Sequence, residues 1–127
     1  MVLRLLLAAT LGAIIGFQRE RAGKAAGLRT HILICVGAAL FTIASLYGFG
    51  FGVDPSRVAA GIVTGIGFLG AGAILHRQGG IVEGLTTAAT IWAVAGIGLA
   101  VGAGLYLVSA VTMVITLAVL FLPHPIR

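Results

Sequence analysis

From Gly84 to Leu122 the chain carries no Asp, Glu, Lys or Arg. A helix that crosses a hydrocarbon core of about 30 Å uses about 20 residues, so this stretch is nearly twice one crossing. Near its middle, Gly102-Ala103-Gly104 offers a place for the chain to reverse. The expected structure is a helical hairpin in lipid. The rest of the chain has the same character, with 60% hydrophobic and 9% charged residues. A soluble domain uses about 25% charged residues to stay in water, so no soluble surface can be built from this sequence.

Counting uncharged stretches divides the 127 residues into five spans, at 2–17, 30–51, 58–75, 85–101 and 104–122. The first contains Arg4, close enough to its end to snorkel to the headgroups. The third is introduced by Asp54-Pro55-Ser56, in which Asp54 or Ser56 caps the helix and Pro55 needs no amide partner. Pro123 and Pro125 end the fifth. The fold class is therefore all-α, a polytopic membrane helix bundle in a single domain.

The net charge of +5 arises partly from Arg19, Arg21, Lys24 and Arg29 in one short stretch. Such a cluster between apolar segments reads as an orientation signal rather than a nucleic-acid surface. It places the first loop in the cytoplasm, the N-terminus outside, and the loop with Arg77 and the terminal Arg127 inside. The same basic loop resists translocation, which favours a retained first span over a cleaved leader. Cys35 stands alone in an apolar run, so disulfide, zinc-cluster and CxxC chemistry are excluded and packing is its expected role.

Between helices in lipid, small residues four apart permit close backbone approach. Gly12/Gly16, Gly61/Gly65 and Gly98/Gly102 have this spacing, and Gly65, Gly67, Gly70 and Gly72 crowd the third span. Because glycines fall on two faces of that helix, it is expected at the centre of the bundle, touching two neighbours. Tight packing, including a homo-oligomer seam, accounts for these glycines. So does a helix unwound at mid-membrane, whose carbonyl oxygens would line an ion pathway.

The three carboxylates are Glu20, Asp54 and Glu83, and they cannot all form one site. Glu20 is expected to pair with its neighbours Arg19 and Arg21. Asp54 reads as a cap or as a cation ligand at the outer mouth. Glu83 sits where it favours the dipole of the fourth span. Thr86 and Thr90 share a face of that span, and back-bonding to the helix is the common fate of such hydroxyls. Trp92 lies too deep for a headgroup-level belt and is expected to pack in the bundle or across an oligomer contact. His31 and His76 are explained by interfacial positions and lack a second ligand at metal spacing. No nucleophile elbow, phosphate loop or zinc-protease motif is present, so catalysis is not expected.

Four ordered blocks resemble the MgtC/SapB family of bacterial inner-membrane proteins. Gly16-Phe17-Gln18-Arg19-Glu20 and Gly27-Leu28-Arg29-Thr30-His31 are similar to its GLERE and AGLRTH signatures. Asp54-Pro55-Ser56-Arg57-Val58-Ala59-Ala60 with Gly65-Ile66-Gly67-Phe68-Leu69-Gly70-Ala71-Gly72 resembles DPSRIAA and GIGFLGAG. Gly84-Leu85-Thr86-Thr87-Ala88-Ala89-Thr90-Ile91-Trp92 resembles GLTTAATLW. The resemblance implies a role in growth at low magnesium or in intracellular survival, with Arg19, Glu20, Arg29, Thr30, Asp54, Arg57, Glu83, Thr86, Thr87, Thr90 and Trp92 as functional motif positions. It also implies regulation of partner complexes such as ATP synthase. Gln18 and Gly61 depart from the common pattern, and Thr86 and Ala93 replace the Asn and Cys of some members. The chain stops at Arg127, so a C-terminal soluble domain is not expected.

Two functions remain open on the sequence. One is a regulatory protein that engages partner helices. The other is an oligomeric channel or transporter for Mg²⁺ or another small ion, with Gly65 to Gly72 as pathway and Asp54 and Glu83 as metal ligands. No cofactor is expected beyond Mg²⁺ as a ligand or cargo, and the partners are the lipid bilayer and further copies of the chain.

Overall fold

The computed structural model describes residues 1–76 and 82–122. Arg77, Pro123, Pro125 and Arg127 lie outside the described residues, as do the side chains of His76 and Glu83. Five helices follow one another: α1 (Val2–Arg21), α2 (Leu28–Tyr47), α3 (Ser56–Ala73), α4 (Leu85–Gly102) and α5 (Tyr106–Leu120). Between α3 and α4, β1 (Leu75–His76) and β2 (Val82–Glu83) form a two-stranded antiparallel pair with Leu75 opposite Glu83.

The first four helices are long and apolar enough to cross a membrane. At 15 residues, α5 rises only about 22 Å. Its apolar flanks Leu105, Phe121 and Leu122 are all exposed. Relative to the spans counted from charge, α1 continues to Arg21, because a cation in the last turn complements the helix dipole. The second helix stops at Tyr47, where Gly48 to Gly52 begin a glycine-rich loop.

Two reversals share one mechanism. After α1, Lys24 N–H bonds to Arg19 C=O and Gly23 N–H to Glu20 C=O, while after α4 Leu105 bonds to Ala100 and Gly104 to Val101. Both are Schellman closures, which need a left-handed residue just past the helix. Gly23 (φ 73°) and Gly104 (φ 86°) supply it.

Contacts at the helix ends fix the directions. Arg4, early in α1, reaches Tyr47 at the end of α2, Gly102 at the end of α4 and Tyr106 at the start of α5. Arg19, late in α1, reaches Thr87 at the start of α4. Ser45 of α2 bonds to Pro55 C=O just before α3, and Gly70 near the end of α3 faces Ala88 of α4. Successive helices therefore run up and down, with one end marked by Arg4 and Asp54 and the other by the basic loop.

The centre of the bundle is α4, which packs against each of the other four helices. Its Val94, Ile97 and Val101 are fully enclosed. Gly98 and Gly102 let it approach α2 so closely that a Cβ on either would overlap the carbonyl oxygen of Cys35 or Ala39. Gly12 and Gly16 do the same for α1 against His31 and Leu28. Cys35 is completely buried at this junction. The expectation that the glycine-rich third helix occupies the centre is overturned: in α3 only Gly70 is buried, and a Cβ at Gly61, Gly65, Gly67 or Gly72 would meet nothing within 4 Å. Glycine permits close approach, but it does not say which helix will approach. Helix α3 also runs without interruption from Ser56 to Ala73, with no unwound segment between Gly65 and Gly72.

The outer surface is strongly apolar. Phe68 is 83% exposed, Leu107 78% and Leu33 71%. A water-facing monomer does not present side chains of this kind in continuous array, whereas lipid accommodates them.

Candidate functional site

At the basic-loop end, α1, α2 and α4 bring polar groups into the bundle. Arg19, on the last turn of α1, is 3% exposed. Its Nη2 donates to Thr87 Oγ1 at 2.8 Å, while its Nε has no partner among the described residues. Across from α1, His31 on the first turn of α2 is completely enclosed. Its Nδ1 lies 2.9 Å from Gly27 C=O, which can only accept, so Nδ1 carries a proton, and Nε2 has no partner among the described residues. Gln18 Oε1 is also buried without a partner among the described residues. Unpaired polar atoms in such surroundings are costly, and an ionisable side chain inside a membrane bundle is a candidate functional group.

His31 is thus not the interfacial residue expected from its basic neighbours. A signal was available: His31, Cys35, Ala38, Thr42 and Ser45 repeat at helical spacing on one face, and all are buried. Glu20 is also placed differently from the expected ion pair. Its Oε1 accepts the Leu28 amide at 2.9 Å and so caps α2 from eight residues away. A Cβ on Gly27 would overlap that carboxylate, which accounts for the glycine there. Beside them, Arg21 lies over the Phe17 ring, 5.5 Å from its centroid.

The remaining motif residues disperse. Arg29, Thr30, Arg57 and Thr86 are exposed, and Thr90 back-bonds to Thr86 C=O at 2.7 Å. Trp92 is 58% exposed and faces away from the core, contrary to packing within the bundle.

At the opposite end, Asp54 Oδ1 accepts both the Ser56 amide at 3.0 Å and the Ser56 hydroxyl at 2.7 Å. These bonds cap the start of α3. They hold the Asp54 carboxyl below the usual carboxylate range, with Arg57 adding to the effect. Asp54 precedes α3 and Glu83 pairs with Leu75 just beyond it, so about 27 Å of helix separates their backbones. One copy does not bring the two into a shared metal site. Among the described residues, no group of three or more His, Cys, Asp or Glu gathers for a metal.

Sequence reading also missed the role of Arg4. Rather than snorkelling to the headgroups, it donates from Nε to Tyr106 Oη at 2.8 Å and from Nη1 to Gly102 C=O at 2.8 Å and Tyr47 Oη at 3.3 Å. Both tyrosine rings lie within cation–π range, at 5.5 and 5.8 Å.

Several known proteins resemble the chain throughout this arrangement. YhiD of Escherichia coli (strain K12) is 52% identical over 130 residues, covering 97% of this chain and 60% of the relative. Protein SapB of Bacillus subtilis (strain 168) is 40% identical over 99% of this chain and 58% of its own length. Protein MgtC of Brucella abortus (strain 2308) is 49% identical over 91% of this chain and 48% of its own length. The chain therefore spans about half to three fifths of these relatives. No solved structure matches it significantly. The model of the MgtC family matches residues 5–127, and with its apolar helices this chain belongs to that family as a multi-pass membrane protein.

Proposed function

We propose that this protein serves magnesium handling in the membrane by regulating partner membrane complexes, which it engages through helix α3. The observation that carries the reading is the outward face of α3, where Ala60, Thr64, Gly67 and Ala71 form an exposed row of small residues. Small residues at this spacing admit a second helix to backbone distance. The interior of the bundle is filled by Ile15, Val94, Ile97 and Val101, which argues against a pathway through a single copy. YhiD of E. coli K12 carries the name of a proposed magnesium transporter, which supports the link to magnesium but not a choice of mechanism.

A second reading has its own support. Asp54 stands exposed at the start of α3, and several copies arranged with α3 inward would form a ring of carboxylates above a glycine-lined path. Flux of Mg²⁺ and monovalent ions through purified protein in liposomes separates the two. The regulator reading expects no flux from folded protein, together with capture of a membrane partner that Gly67→Leu abolishes. Flux that Asp54→Asn removes would establish the channel instead.

A further inference from the structure

Helices α2 and α3 touch each other far less than either touches α4. Two apolar clefts, open on one side and floored by Ala95 and Ile91 of α4, lie between them, of 540 and 420 Å³, and they share Ile34 and Leu69 as lining residues. Together they form one groove along α3, from Val58 near the Asp54 end to Ala73 near the basic loop. At 1.5 Å per residue its length is about 22 Å, more than the roughly 15 Å that one leaflet contributes to the hydrocarbon core. Glycines keep it open, because a Cβ at Gly37, Gly61, Gly65 or Gly72 would point into empty space.

The two ends of the groove differ in charge. Its lower mouth is lined by Ala25, Ala26 and Thr30. These positions are flanked in sequence by Lys24 and Arg29, both exposed, with Arg21 exposed a few residues before. Two carboxylates belong to this end: Glu20 is bound to the amide of Leu28, and Glu83, whose side chain lies outside the described residues, follows α3 opposite Leu75. An apolar slot between helices that opens at a basic rim is complementary to a molecule with an acyl chain and an anionic head.

We propose that the α2–α3 groove binds one anionic phospholipid, with an acyl chain between the helices and the phosphate at the Arg21 to Arg29 loop. A second copy of the chain fits less well. Copies in one membrane share an orientation, so two facing grooves would bring their basic loops together.

Native mass spectrometry of the full chain, released from micelles with equal phosphatidylglycerol and phosphatidylcholine of the same chain length, tests the proposal. One phosphatidylglycerol per chain is expected to survive, at least tenfold over phosphatidylcholine. Lys24→Gln with Arg29→Gln should weaken retention roughly thirtyfold. Gly65→Leu, which fills the groove, should abolish it with the helical circular dichroism unchanged, while Gly67→Leu on the opposite face should leave it intact. Equal retention of both lipids, or retention that survives Gly65→Leu in a folded protein, overturns the proposal. A lipid-free dimer that Gly65→Leu dissociates would assign the groove to a second copy and overturn it as well.

Discussion

Arg19 and Thr87, 68 residues apart in the chain, are joined by a 2.8 Å hydrogen bond within the buried end of the bundle. The bond ties the last turn of α1 to the first turn of α4 and gives the guanidinium a described partner. Thr87→Val keeps the shape but removes the acceptor. The expected loss is about 1 to 3 kcal/mol, because a charged donor is left unmatched in the interior. Thr87→Ser should retain most of the stability. Thermal unfolding in mild detergent measures both, and equal stability of the Val and Ser variants would show that Thr87 contributes only packing.

Glycines in the two helix pairs should respond in opposite ways. Gly98→Ala forces a Cβ against the Cys35 carbonyl and should cost about 1 to 3 kcal/mol. Gly61→Ala enters open space and should be neutral or stabilising by up to about 1 kcal/mol, through helix propensity. Unfolding midpoints of the pair provide the comparison.

The Asp54 cap has a pH signature. Its carboxyl is held low by the Ser56 hydroxyl and amide, so the cap is complete above the ordinary carboxylate value of about 3.9. It is lost as pH falls through the lower folded value. Ser56→Ala removes the larger of the two effects and should move the Asp54 midpoint upward in a carbon-detected NMR titration. An unchanged midpoint would show that the hydroxyl contributes nothing to the cap.

Orientation is open to chemical labelling. In a Cys35→Ala background, Phe51→Cys should react with an impermeant maleimide in intact cells, and Lys24→Cys only after permeabilisation. The reverse pattern would invert the bundle. The native Cys35, fully enclosed, should resist even a permeant maleimide until the protein is unfolded.

The existence of the helices was legible because charge is costly in hydrocarbon, so the gaps between charged residues show where helices fit, and the gap from Gly84 to Leu122 is long enough for two. The arrangement was not legible to the same degree. Gly98/Gly102 and Gly61/Gly65 have the same spacing, yet one pair meets α2 and the other meets nothing. Which pair packs depends on the facing helix, where Cys35, Ala38 and Ala39 present a small surface to α4. Of the candidate site, Arg19 and Thr87 were named from motif positions, but their contact joins two distant segments and has no local trace. His31 was assigned by its neighbours in sequence, when its place on the small-residue face of α2 was the better guide.

The Arg4 clasp gathers the ends of α1, α2, α4 and α5, and α3 is the one helix it does not hold. Helix α3 is held instead by Ser45 to Pro55 at one end, by Gly70 to Ala88 at the other, and by Ile62 and Ile66 against the core between them. On the side that faces α2, Gly61 and Gly65 leave the mid-section of α3 open. The bundle is thus shut where α3 meets α4 and open along the seam between α2 and α3, so what fills that seam comes from the membrane and not from the chain's own side chains.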